Sequence, residues 1–155
     1  LEVLAVGVNQ LSGSIPAELG DLSQLRSLSF ARNSLSGQIP VALGRLTNLE
    51  GIALYENSLT GSIPGELGGL AQLEWLELGE NALSGSIPAA LGDLHNLRGL
   101  RLSDNALIGA VPLQLMDLEG LWELQLSGQP GCLTASSPEM ASWLEGHDSD
   151  WNEGC

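Results

Sequence analysis

The side chains that could do chemistry here are two histidines, two cysteines, an acidic surplus and many serines. His95 stands in Asp93-Leu94-His95-Asn96, where the matching segments of other periods carry Ser23, Thr47 and Ala71. That variability marks a solvated loop residue, not a general base. No serine has a His and an acid partner by motif. The glycines recur at a long fixed spacing and never as the G-x-G-x-x-G that cradles phosphate. The stretch Asp148-Ser149-Asp150-Trp151-Asn152-Glu153-Gly154 places oxygens at alternate positions, as a calcium loop would. An EF-hand loop wants Gly where Glu153 stands and a further Glu later, so a solvated acidic loop is the better reading. No catalytic residue, metal or cofactor is expected.

Cys132 and Cys155 are the only cysteines and bracket the last segment of the chain. Zinc needs four ligands, and between the two cysteines only His147 and acids are on offer. The C-x-x-C redox spacing is absent. The remaining reading is a disulfide, whose closed loop would contribute about 3 kcal/mol on the chain-entropy model and would place the protein in an oxidising, extracellular or cell-surface compartment.

Nineteen acids face five arginines and no lysine, a formal net charge of −14. This disfavours a phosphate backbone or an anionic membrane as partner. No run of about 18 apolar residues is present to cross a bilayer. The acids are spread along the chain. They either steer basic partners or adapt the whole surface to a salty habitat.

What positions these side chains is a repeat. Shifted by 24, the chain aligns on itself without a gap. Leu1, Leu25, Leu49, Leu73, Leu97 and Leu121 share one column, and Asn9, Asn33, Asn57, Asn81 and Asn105 another. Gly13, Gly37, Gly61, Gly85 and Gly109 form a third, and Pro16, Pro40, Pro64, Pro88 and Pro112 a fourth. Within one period, Leu28 and Phe30 alternate with Ser27, Ser29 and Ala31, the signature of a short half-buried strand. The Asn column should satisfy backbone groups of its own coil and the next. The Gly column suits positive φ or close coil approach, and Pro ends a second short strand. A single coil cannot bury its apolar face, whereas a stack of them can.

The string from Leu73 through Asn81, Gly85, Ile87-Pro88, Leu91-Gly92 and Leu94 resembles the plant-type, 24-residue leucine-rich repeat. Similar repeats build plant receptor-kinase ectodomains and polygalacturonase-inhibiting proteins, and also occur in bacteria and algae. The resemblance implies an α/β right-handed solenoid with a concave parallel sheet, a short second sheet and 3-10 segments. Residues 1–129 are expected to form the array and 130–155 a cap. Gln129 replaces the ladder Asn and Met116 the Gly of the Leu-Gly pair, which marks the array's end. Ser137 as N-cap, Pro138 at the first position and Gly146 at the exit predict a helix whose Met140, Trp143 and Leu144 cover the last coil. Together with the cysteine pair, this gives a disulfide-clamped cap helix. At the other end, Leu1 already occupies a consensus column with no capping segment before it. The chain reads as the C-terminal part of a longer array or one lacking its N-cap, with an edge able to self-associate.

The family consists mainly of binding modules, so the expected function is non-enzymatic recognition of a protein or peptide on the concave face. Positions three, five, seven and eight of each coil face that side. Tyr55, Trp75, Glu77, Glu80 and Arg101 are expected to form one patch, flanked by Arg32 and Asp104. The alternatives are an adhesive spacer without a single ligand and, through the hydroxyls of Ser12, Ser36, Thr60 and Ser84, an ice-binding face.

Overall fold

A computed structural model describes residues 1–152. Each period contributes a first strand, a second strand and a 3-10 turn. The first strands are β1 (Val3–Ala5), β3 (Ser27–Ser29), β5 (Gly51–Ala53), β7 (Trp75–Glu77), β9 (Gly99–Arg101) and β12 (Glu123–Gln125). The second are β2 (Ser12–Ser14), β4 (Ser34–Gln38), β6 (Ser58–Gly61), β8 (Ala82–Gly85) and β10 (Ala106–Leu107). First strands pair in parallel, each with the strand one period on, so that Leu28 sits beside Leu4 and Ile52, and Leu76 beside Ile52 and Leu100. They form one six-stranded sheet, and the second strands form a five-stranded one. A two-stranded piece, β11 (Gly109–Ala110) with β13 (Leu133–Thr134), continues the second side into the cap.

The leucine columns fill the space between these layers. Leu76, Leu78, Leu100, Leu102, Leu91 and Leu94 are fully buried. The Pro column stands at the entry of each 3-10 turn with φ near −65°, for example Pro64 (φ −64) before Gly65–Gly69 and Pro88 (φ −65) before Ala89–Asp93. Its ring presets that φ, and the missing N–H falls where no ladder needs it.

The two proposed roles for glycine fall on different columns. Gly13, Gly37, Gly61, Gly85 and Gly109 have φ between 77° and 88°, which only glycine adopts cheaply. Close approach belongs instead to the Leu-Gly pair: a Cβ on Gly20, Gly44, Gly68 or Gly92 would run into backbone of the following coil. Met116 takes this place in the fifth 3-10 turn, with no sixth turn among the described residues stacked beyond it, and is 36% exposed.

The Asn ladder works, but toward the preceding coil, not the next. Asn57 Nδ2 donates to Leu54 O and Tyr55 O in its own coil and to Phe30 O of the coil before, while its Oδ1 accepts from Leu35 N–H. Gln129 ends the consensus without ending this function. Its amide donates to Leu126 O and Leu102 O and accepts from Leu107 N–H at 2.9 Å.

Helix α1 (Pro138–His147) caps the stack, packed on β12 and the last 3-10 turn. Ser137 accepts from Met140 N–H as the N-cap should, and Met140 and Leu144 are buried with Trp143 packed beside them. Gly146 lies inside the helix, and Asp148 is its C-cap. The segment from Asp148 is not simply a solvated loop. Asp148 Oδ2 accepts from Leu126 N–H at 2.6 Å, closing a donor beside the last strand, and Trp151 enters the core. The proposed partner of Cys132, Cys155, lies outside the described residues, as do Glu153 and Gly154 of the calcium-loop reading.

Candidate functional site

Alternation in the first strands turns Trp75 and Glu77, and across from them Gly99 and Arg101, to the solvent side of the six-stranded sheet, while Leu76 and Leu100 point in. The strands are only three residues long, so past their ends exposure at position seven varies from coil to coil: Tyr55, Ser103 and Ser127 stay half-exposed. Ala31, placed on the open face by the sequence pattern, is 4% exposed, and Gly79 is also buried. The chain has already turned there toward the next coil. A Cβ on Gly79 would lie 3.3 Å from Ser103 O.

Position eight is backbone-strained. Val8, Arg32, Glu56, Glu80 and Asp104 all have φ between 53° and 58°, and Gly128 fills the column in the last coil. Such φ values cost roughly 1–2 kcal/mol for a side chain with a Cβ. Four of these residues, Arg32, Glu56, Glu80 and Asp104, are charged, and each follows directly on the seventh position.

The charges then pair along the sheet. Arg101 is held by Glu77 (2.8 Å, Nη1) and by Glu123 (2.7 Å, Nη2; 2.8 Å, Nε). Arg32 Nε donates to Glu56 Oε1 at 2.8 Å while its guanidinium carbon lies 5.9 Å from the Tyr55 ring centroid. The hydrogen bond and charge of Glu56 raise the Arg32 pKa further above its ordinary value. Every arginine has an acidic partner. These pairs range from Arg101–Glu77, partly buried, to Arg45–Asp21, mostly exposed, and they hold side-chain geometry more than they stabilise the fold.

The predicted patch separates into two places. Arg32, Tyr55, Glu80 and Arg101 line a depression of about 240 Å³ floored by Gly79. Trp75 leans the other way, over Gly99, where an added Cβ would come within 2.5 Å of its Cζ3. There it meets Trp122 edge-on, with ring centroids 5.4 Å apart at 84°. Glu77 links the two places through Arg101, and Asp104 stands outside the depression. Trp122, 64% exposed, was missed from sequence. Its signal was available: it is the only aromatic in a second column otherwise made of Glu2, Arg26, Glu50, Glu74 and Arg98. Among the described residues no group of histidine, cysteine and acids could hold a metal.

Comparison with known proteins matches this geometry. A family profile described as leucine rich repeat covers residues 23–83. The receptor kinase SOBIR1 ectodomain from Arabidopsis thaliana superposes with a TM-score of 0.80 at 32% identity over 85% of this chain and 72% of that one. The chain belongs to the plant-type leucine-rich-repeat family. The Arabidopsis HAESA ectodomain, solved with an N-terminally extended IDA peptide hormone, gives a TM-score of 0.83 at 33% identity. That match covers 93% of this chain but 24% of HAESA. The BIR3–SERK2 complex, also from Arabidopsis, gives 0.76 at 36% identity, covering 85% and 69%. No curated protein sequence matches the chain. No helix among the described residues is long and apolar enough to cross a membrane.

Proposed function

We propose that this chain is a non-enzymatic binding module of an extracellular or cell-surface protein, taking a peptide or protein on the open face of its six-stranded sheet. The observation that carries the reading is the sheet face itself. Trp75, Trp122, Tyr55 and Arg101, the residue types that most often anchor interfaces, lie on adjacent strands or beside them. Buried leucine columns hold them from below. Among its neighbours, HAESA was solved with a peptide hormone and another is the BIR3–SERK2 protein complex, which supports the same class of ligand. Residues 1–129 would then act as the array that presents this face. Residues 130–155, with a Cys132–Cys155 bridge, would seal its end. Trp75, Glu77, Arg101 and Tyr55 are the proposed contact residues, with Glu80, Arg32 and Asp104 at the margin.

A displayed random-peptide library selected on the folded chain tests this. The selected peptides should lose binding to the Trp75→Ala, Glu77→Ala double variant while its melting temperature falls by only a few degrees. Peptides that bind the double variant as well as the parent would return the face to a spacer role.

A further inference from the structure

The depression over Gly79 contains two arginines, which at first sight suits a carboxylate. The hydrogen bonds argue the reverse. Arg101 already spends Nε, Nη1 and Nη2 on Glu77 and Glu123. Arg32 is bound to Glu56 and lies against Tyr55. Glu80 stands at the rim, exposed and without an ion-pair partner among the described residues; Arg32 feels its charge only at longer range. Counting the groups that line or clamp the depression, Arg32 and Arg101 face Glu56, Glu77, Glu80 and Glu123. The site therefore keeps a net charge of about −2 in a recess partly shielded from water, where opposite charge is attracted more strongly than on the open surface. An anion would have to break existing pairs to enter, whereas a cation would complete one.

Size narrows the occupant. About 240 Å³ is below the roughly 300–1,000 Å³ of sites that enclose a whole small molecule, and fits one long side chain. Gly79 lines the depression without a side chain of its own. Tyr55 supplies an aromatic wall of the kind that favours cations. We propose that this depression is a specificity pocket for one arginine or lysine side chain of the bound peptide or protein, paired with Glu80 and set against Tyr55. The proposal rests on the peptide-binding reading above and adds to it the sign and size of one ligand residue. Arg32 then acts as a built-in competitor, an internal cation holding the place beside Tyr55 and Glu56.

The test is amide NMR titration of the whole 155-residue chain with N-acetyl-arginine methylamide, and with the citrulline and glutamate analogues as controls. The arginine probe should give saturable shifts at Gly79, Glu80 and Ser103, and both controls should bind at least about five-fold more weakly. Glu80→Gln should weaken the arginine probe about three- to ten-fold, the spectrum itself reporting an intact fold. Arg32→Ala should tighten it about two- to five-fold by freeing the aromatic wall; a carboxylate pocket predicts loss instead. The proposal is overturned if the glutamate probe binds better at these amides. It is equally overturned if the arginine shifts scatter over the acidic surface and ignore Glu80→Gln, or if Arg32→Ala weakens the probe. If the probe fails while selected peptides still depend on Trp75 and Glu77, only the pocket assignment falls. If the probe succeeds while the peptides ignore the sheet, the broader reading falls and the cation pocket stands.

Discussion

Replacing Gly44 by alanine tests whether coil spacing is set by contact between 3-10 turns. Gly44 lies in the turn Val41–Arg45, against the turn Gly65–Gly69 of the next coil. A Cβ there would sit 2.6 Å from Glu66 O and 2.9 Å from Glu66 C. That is about 0.8 Å short of ordinary contact, and the obstacle is backbone that cannot rotate aside. The two coils must part locally, which strains both turns and loosens the leucines beneath them. Overpacking of this kind costs about 1–3 kcal/mol, and the rigid obstacle puts Gly44→Ala toward the upper end. For a chain of this size that is a fall in melting temperature of about 4–12 °C. Gly69→Ala is the control, in the same kind of turn but with nothing within 4 Å of its added Cβ. There the stiffer unfolded chain should stabilise by about 0.4–1 kcal/mol. Thermal melts followed by circular dichroism, with urea midpoints as a second measure, separate the two. Equal melting temperatures for the pair would refute the claim that turn-to-turn contact sets the spacing.

Gln129→Leu should lower stability by about 2–4 kcal/mol, because Leu107 N–H and Leu102 O lose their buried partner; a urea midpoint shift below half that size would count against the ladder role. Melting temperature should rise from low to moderate NaCl, since −14 of net charge repels itself and salt screens the repulsion. A flat curve would mean that the local Arg–acid pairs already compensate. At the start of α1, the backbone N–H of Glu139 and the Ser137 hydroxyl hold the Glu139 carboxyl below its ordinary pKa. A depressed carboxyl stabilises the fold above its unfolded value and loses that contribution as pH falls through the folded one. Exchange protection of the first helical amides should therefore decline in that acid range for the parent and not for Glu139→Gln.

The 24-residue columns determined most of the architecture, because the inner coils bury the same positions and a buried column tolerates little variation; in the first coil Leu1 and Leu11 stay exposed. Leu73, Asn81, Gly85 and Pro88 each state a local requirement: core filling, carbonyl pairing, positive φ and a preset turn entry. The cap helix was equally legible from Ser137, Pro138 and the spacing of Met140 and Leu144. Terminating substitutions were visible, though not their meaning. Met116 is tolerated because no turn among the described residues stacks beyond it, and Gln129 continues the ladder that it seemed to break. Both facts depend on what occupies the neighbouring coil. The face positions three and five followed from strand alternation, whereas at position seven, past the end of a three-residue strand, Tyr55 stays half-exposed while Ala31 and Gly79 are buried. Only the tertiary structure decided how the exposed residues divide: Trp75 lies toward Trp122 because Gly99 leaves room, and Tyr55 faces a recess because Gly79 leaves another. A side chain on a sheet leans where its lateral neighbours permit, and those neighbours are a whole coil away in sequence.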